Sequence, residues 1–570
     1  MGIVALMLFP LSGSLYGQEA GGTKDSVAQI GTIKLCYVSP IDFPISLAGN
    51  FGEPRPNHFH CGIDVRTQGV IGKKIFSVAD GYVSRLTVGM NGFGNAVYVT
   101  HPDGITSVYA HLDRFMPKMA ERVLRKQYEM ESEVVDLRLS PEDFPVKAGE
   151  QIAFSGNTGA SMGPHLHLEF QRTSDGGLVN PLPYFQHLIR DTMRPKVHQL
   201  RLYAKPGEGV LLGTGGAVSF VPGANQKVYE AWGRIGVAYW ADDYMNGTAN
   251  KFGIYSVRLF VDGREVFRSC MDSYMPADNR KVNSWGDYGV FMKQKRWFLK
   301  SFAEPGNDLS LLHYGPERGW VDICEARDYQ FRYEFRDQYG NWTTCEFRVR
   351  GVPSDEQLAK ETQRLREQRM SKNYMRWNES GVVQFPGMEL RIPAGALFRD
   401  VELHPQIKIE EDGCSNVYTL HDEPEPLLVN ATLMLAPRKP VDDPERWYIE
   451  SSKGYIGGNW QDGWLVASVR YLDESYALVR DTIQPMITPL ATGKWSSNKL
   501  LRVRVQDKDS GVRTFKAYLD GQFVLFTGGA VKTCDLRKTP VSRENKRRLL
   551  ELIATDRCGN ERRDSCYFVY

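Results

Sequence analysis

No stretch of this 570-residue chain reaches the roughly 18 consecutive apolar residues that a transmembrane helix needs, so no spanning helix is expected. Neither sign of charge prevails. Seventy Lys and Arg against 68 Asp and Glu leave a formal net charge of +2, which gives no footing for nucleic-acid binding or for adhesion to an acidic membrane. Cys36, Cys61, Cys270, Cys324, Cys345, Cys414, Cys534, Cys558 and Cys566 nowhere adopt Cys-x-x-Cys spacing, which excludes a zinc ribbon or a paired redox motif. Their odd number leaves at least one unpaired. The Cys324/Cys345 and Cys534/Cys558/Cys566 groups are candidates for disulfides in an oxidising compartment.

What is present points to a folded, multidomain, mainly β protein. A hydrophobic content of 42% with 24% charge is ordinary for a globular chain, and the length suggests roughly four domains. Aromatic segments punctuated by glycine turns recur throughout and favour strands. The apolar run Ile3 to Leu11, followed by Ser12, Gly13, Ser14 and Gly17, reads as a secretory signal over residues 1–17, although no Lys or Arg precedes it. A polar linker over residues 18–35 follows, and no Cys at the expected cleavage point supports a lipid anchor.

Residues 36–190 are expected to form one β domain. Lys74 to Ala79 and Tyr82 to Val88, joined by Asp80-Gly81, read as a hairpin; Asn95 to Thr100 and Ile105 to Leu112, joined by Pro102-Asp103-Gly104, read as a second. A helical run, Met119 to Met130, sits in an insertion over 116–142, either as a lid on one side of the site or as a surface excursion. Two later segments repeat one another. Gly253 to Asp262-Gly263 matches Gly511 to Asp520-Gly521, and Asp337-Gln-Tyr-Gly-Asn341 matches Asp556-Arg-Cys-Gly-Asn560, each flanked by strands. The pattern predicts immunoglobulin-like β-sandwiches over 191–352 and 493–570, separated by a charged helical linker at 353–378 and a β domain of unassigned role at 379–492.

The residues that suggest chemistry all fall in the first of these domains. His60 and Asp64 would stand about 13 Å apart on a straight strand, so the chain must bend between them, and Gly62 permits it. Leu166, Leu168 and Phe170 alternate with His165, His167 and Glu169, which predicts a strand with buried leucines and both histidines on the opposite face. By the same alternation Tyr109 and His111 are expected on one face and Val108, Ala110 and Leu112 on the other. One sheet could therefore gather His60, Asp64, His111, His165 and His167 around a point. Three such ligands with one open position are the layout of a catalytic zinc site.

The segments Phe51-Gly-Glu-Pro-Arg55, Asn57-His-Phe-His-Cys-Gly-Ile-Asp64, Ala79-Asp-Gly81, Gly94-Asn95, Tyr109-Ala-His-Leu112, Gly156-Asn-Thr-Gly159, Gly163-Pro-His-Leu-His-Leu-Glu-Phe170 and Asn180-Pro181 together resemble the lysostaphin/LytM-type zinc metallopeptidases over residues 45–190. The resemblance implies a small antiparallel domain with a groove across its sheet. It also implies one Zn2+ held by His60, Asp64 and His167, with His165 and His111 as an unliganded catalytic pair, and the peptide stems and cross-links of bacterial peptidoglycan as substrate. His58, Tyr109 and Asn95 are candidate substrate contacts; Glu169 either orients a histidine or faces solvent. These readings amount to an exported endopeptidase of the periplasm or cell envelope, with a protein partner a possible role for the C-terminal sandwiches. A non-catalytic scaffold or regulator of another wall hydrolase is the main rival, and a carbohydrate-binding or adhesion protein with incidental zinc is the second.

Overall fold

Alternation of leucine and histidine sets the central strand. In the computed structural model, which describes residues 37–214, 216–223, 228–541 and 546–569, Leu166, Leu168 and Phe170 are fully buried in one apolar cluster, while His165, His167 and Glu169 lie on the other face. The expected signal segment, the 18–35 linker and Cys36 lie outside the described residues. The first domain is built on β1 (Leu47–Gly49), β2 (Gly62–Arg66), β3 (Gly81–Val88), β4 (Ala96–Thr100), β5 (Ile105–Ala110), helix α1 (Pro117–Glu129), β6 (Val135–Arg138) and β7 (His165–Arg172). Its antiparallel sheet runs β1-β2-β7-β5-β4-β3-β6. In this register His167 stands directly opposite Asp64 on one neighbour and Ala110 on the other. Directly opposed residues share a face, so Asp64 and His167 are brought together by pairing alone.

Three expectations are corrected here. The second predicted hairpin forms as β4 and β5, but the first does not: Lys74–Phe76 leaves the main sheet to pair with Gln151–Phe154, while β3 pairs with β4 and β6. Asp80-Gly81 is thus a corner between two sheets, a role a turn dipeptide serves as well as a hairpin. Tyr109 is opposite Leu168 and is fully buried in the core, not on the groove side. The alternation inverts because His111 has a positive φ of 59°, so the chain turns over just past Ala110. All eight described cysteines, Cys324, Cys345, Cys534, Cys558 and Cys566 among them, are free thiols.

Helix α1 buries Met119 and Val123 in the same cluster as Leu166 and Leu168, so it covers the core face, opposite the histidines, and is not a lid over them. Past its end, Glu133 pairs with Lys532 at 2.7 Å and Glu131 with Lys516 at 2.9 Å, which docks the C-terminal sandwich against the insertion.

Downstream, the repeat becomes two congruent four-strand sets. In the first, β8 (Ser256–Val261), β9 (Arg264–Cys270), β10 (Asp328–Arg336) and β11 (Trp342–Gly351) lie in the order β11-β10-β8-β9. Beyond helix α2 (Asp355–Arg369), which buries none of its residues, and two five-stranded sheets around one core, the second set follows. Its strands β12 (Val512–Leu519), β13 (Gln522–Phe523), β14 (Arg547–Asp556) and β15 (Glu561–Val569) lie in the order β15-β14-β12-β13. The two copies differ in their surroundings. The last has its own core, whereas the first shares one with the histidine-bearing domain, where Phe51, Phe59 and Leu178 pack with Tyr274 and Trp285.

Candidate metal centre

The bend between His60 and Asp64 falls just before β2. The main chain of His60 is clamped there by Glu53 O accepting from its N–H and by its own O accepting from Gly52 N, and β2 then runs straight beside β7. This returns the His60 imidazole over Asp64. His60 Nε2 lies 3.0 Å from Asp64 Oδ1 and 3.1 Å from His167 Nδ1, and His167 Nδ1 lies 3.0 Å from Asp64 Oδ1. All three residues are at most 8% exposed. Two imidazole nitrogens and a carboxylate oxygen this close suit a zinc ion with ligands about 2.0–2.2 Å away.

Each ligand atom is aimed by a second contact on its own side chain. His60 Nδ1 donates to Asn50 O at 2.7 Å, which leaves Nε2 as the lone pair facing the cluster. His167 Nε2 faces Glu169 Oε2 at 3.5 Å, leaving Nδ1 inward. Such outer hydrogen bonds fix the tautomer of a metal-binding histidine. Glu169 is 1% exposed, so the solvent-facing alternative is excluded. Arg55 Nη2, 3.3 Å from Asp64 Oδ2, holds the other carboxylate oxygen.

The charges follow from this packing. Burial opposes ionisation of Asp64, but the surrounding His60, His165 and His167 outweigh it and hold the carboxyl well below the usual range. Burial also works against a charged His167, yet Asp64 and Glu169 raise it to about 9.

Two further imidazoles complete the group. His111 Nδ1 donates to Thr158 O at 2.8 Å and His165 Nδ1 to Gly163 O at 2.8 Å, so both present Nε2. His165 Nε2 is 3.4 Å from Asp64 Oδ1, and the His111 and His165 ring centroids are 4.8 Å apart. Burial, with His167 and His165 beside it, pushes His111 down to about 4, which keeps it neutral near pH 7. Its carbonyl anchor belongs to a loop that packs closely on a second loop at Gly159 and Gly94. A Cβ on Gly159 would come within 2.4 Å of Gly92 O and Gly94 N, and both Gly159 and Gly94 have positive φ. That contact places Phe93 against His167, with rings stacked at 5.5 Å.

The three expected substrate contacts fare differently. Tyr109 is a core residue whose hydroxyl accepts from Val78 N at 2.8 Å. Asn95 spends its amide on Leu112 O at 3.1 Å and so braces the segment that carries His111. His58 is exposed on the Pro54–Phe59 hairpin, with Nδ1 at 3.0 Å from Pro56 O. Arg55, Thr158 and the Asn50 carbonyl had drawn no role from sequence. Thr158 and Asn50 act through main-chain oxygens, which leave no side-chain signature.

Comparison with known proteins places this geometry. Residues 58–128 match the model of peptidase family M23, and residues 372–481 that of a Zu5-like domain. The chain carries a LytM-type M23 domain. An uncharacterized metalloprotease of Haemophilus influenzae is 34% identical over 131 residues, 23% of this chain and 21% of its own length. The DD-carboxypeptidase/endopeptidase Mpg of Neisseria meningitidis is 32% identical over 123 residues, 22% of each chain. The murein hydrolase activator NlpD of Escherichia coli is 34% identical over 123 residues, 22% of this chain and 25% of its own. The chain thus spans only a fifth to a quarter of the length of these relatives. Of these relatives Mpg is named as an enzyme and NlpD as an activator of murein hydrolases.

Proposed function

We propose that the protein is an exported zinc endopeptidase that hydrolyses peptide cross-links of bacterial peptidoglycan in the periplasm or cell envelope. One observation carries the reading: three ligand atoms within 3.1 Å of one another stand beside two imidazoles that are each anchored through Nδ1, with the Nε2 of His165 turned to the same carboxylate at 3.4 Å. A zinc ion held by His60, Asp64 and His167 would supply Lewis acidity and a water whose pKa falls to about 7. His165 and His111, with ring centroids 4.8 Å apart, take the proton released as water attacks the peptide carbonyl. They then hydrogen-bond the oxygen where negative charge develops, and return a proton to the departing amine. Asp64 would balance the charge of a bound cation, and Arg55 keeps that carboxylate oriented. His58 stands as the remaining exposed contact for a peptide stem, while the C-terminal sandwiches offer surfaces for a protein partner.

The activator reading draws on NlpD and predicts wall binding without hydrolysis. Retention of both unliganded histidines favours the enzyme. Incubating the full chain with purified cross-linked sacculi and analysing the soluble fraction by mass spectrometry separates the two. Release of stem peptides with new amine and carboxyl termini supports the enzyme; intact sacculi from zinc-loaded protein would assign the activator role.

A further inference from the structure

Each sandwich is entered through a cluster of three aspartates, and the two clusters are built alike. Asp191, Asp243 and Asp337 meet at the first joint and Asp481, Asp507 and Asp556 at the second, with donor atoms within 4.8 Å of one another in each. The segments correspond: Arg190-Asp191-Thr192 to Arg480-Asp481-Thr482, and Asp337-x-x-Gly-Asn341 to Asp556-x-x-Gly-Asn560. So do the hydrogen bonds. Asn341 donates from N and Nδ2 to the two Asp337 oxygens at 2.8 and 2.7 Å, and Asn560 does the same to Asp556 at the same distances. Met193 N donates to Asp191 Oδ1 at 3.0 Å, and Ile483 N to Asp481 Oδ1 at 2.9 Å.

They part at the remaining oxygens. In the second cluster Ser510 N donates to Asp481 Oδ2 and Gly511 N to Asp507 Oδ1. In the first, Asp191 Oδ2 and Asp243 Oδ1 are buried without any hydrogen-bond partner, on residues 9% and 5% exposed. None of Asp191, Asp243 and Asp337 pairs with a described basic side chain. Burial, with Asp337 and Asp191 beside it, pushes the Asp243 carboxyl up to about 8. Orphaned carboxylate oxygens in a buried, all-acidic cluster are costly unless a cation or a proton neutralises them.

We infer that Asp191, Asp243 and Asp337 bind one calcium ion at the joint between the M23 domain and the first sandwich. The donors are all oxygens, which selects a hard cation over zinc, and a spread of up to 4.8 Å suits oxygens lying about 2.3–2.6 Å from a central ion. Asp243 also lines a small cavity with Asn50, Asn180, Gln338 and Tyr339. The ion would tie the 190–195 linker to the loop that begins at Asp243. That loop buries Met245 and Phe252 in the M23 core, and its Asn250 donates to Ala48 O on β1 at 2.9 Å, one strand from Asp64. The second cluster, with its oxygens met by backbone amides, serves as the built-in control.

The test is calorimetric titration of the full chain with calcium chloride, after metal removal and reloading with one equivalent of zinc. Wild type should take up one calcium per chain and melt higher with it. Asp243→Asn and Asp337→Asn should lose that equivalent while keeping zinc, and Asp507→Asn should retain it. Because Asn keeps the side-chain volume and removes repulsion, Asp243→Asn should melt no lower than wild type in calcium-free buffer, which guards against simple misfolding. No calcium heat in wild type, as a shared proton would give, or an equivalent that survives in Asp243→Asn, overturns the inference.

Discussion

Among the described residues two groups bring together two histidines and one aspartate, and only one of the two is organised to hold a metal. His60, His167 and Asp64 sit almost out of solvent, and both rings have their outer nitrogen engaged so that the inner nitrogen faces the other ligands. His404, His421 and Asp422, in the Zu5-like region, have the same residue types at contacts of 3.2 Å. There, however, the His404 and Asp422 side chains are 54% and 41% exposed, and His421 Nδ1 accepts from the backbone N–H of His404 at 3.2 Å, which occupies its lone pair. Ligand identity is therefore the lesser part of a site. The contacts behind the ligands decide whether the lone pairs point at one place.

That contrast can be broken most severely at the ligands. His60→Ala or Asp64→Ala should abolish stoichiometric zinc and bring cleavage to background, read by elemental analysis and fragment release; His404→Ala should change neither. Next come the unliganded rings: His111→Ala should keep zinc and lower the cleavage rate by about 10²–10⁴-fold, the usual contribution of a general acid–base group. A smaller effect is expected behind the ligand. Glu169→Gln should weaken zinc binding by about 10–100-fold with little change in the rate of fully loaded protein. The subtlest is a proton. Because His167 is raised to about 9 in the metal-free protein, it carries a proton at pH 7.5 that must leave when zinc binds, and affinity should fall as pH drops below 9. Calorimetry in two buffers of different ionisation enthalpy should then show a net release of about one proton; equal heats in both would remove the charged His167 from the account.

How much of this was legible in the sequence depended on whether a residue's environment is set locally. The β7 strand was readable because its leucines and histidines alternate with period two and its register is pinned by burial. The repeated Asp-Gly turns were readable because Asp262 and Asp520 both take positive φ before a glycine, a turn with its own composition. Tyr109 was misplaced because a single left-handed residue, His111, inverts the face of everything before it, and nothing in Tyr-Ala-His announces that. The Lys74–Phe76 strand was misplaced because the choice of partner strand is tertiary. Docking of α1 on the core face and the core shared between the M23 domain and the first sandwich are likewise products of long-range packing.

The central claim is the division of five side chains into three ligands and two free imidazoles. It is tested most directly in His165→Ala by measuring zinc content and sacculus cleavage on the same sample. The account predicts one zinc per chain with cleavage lost. Zinc lost along with cleavage would make His165 a ligand, and cleavage retained with zinc bound would remove it from the chemistry.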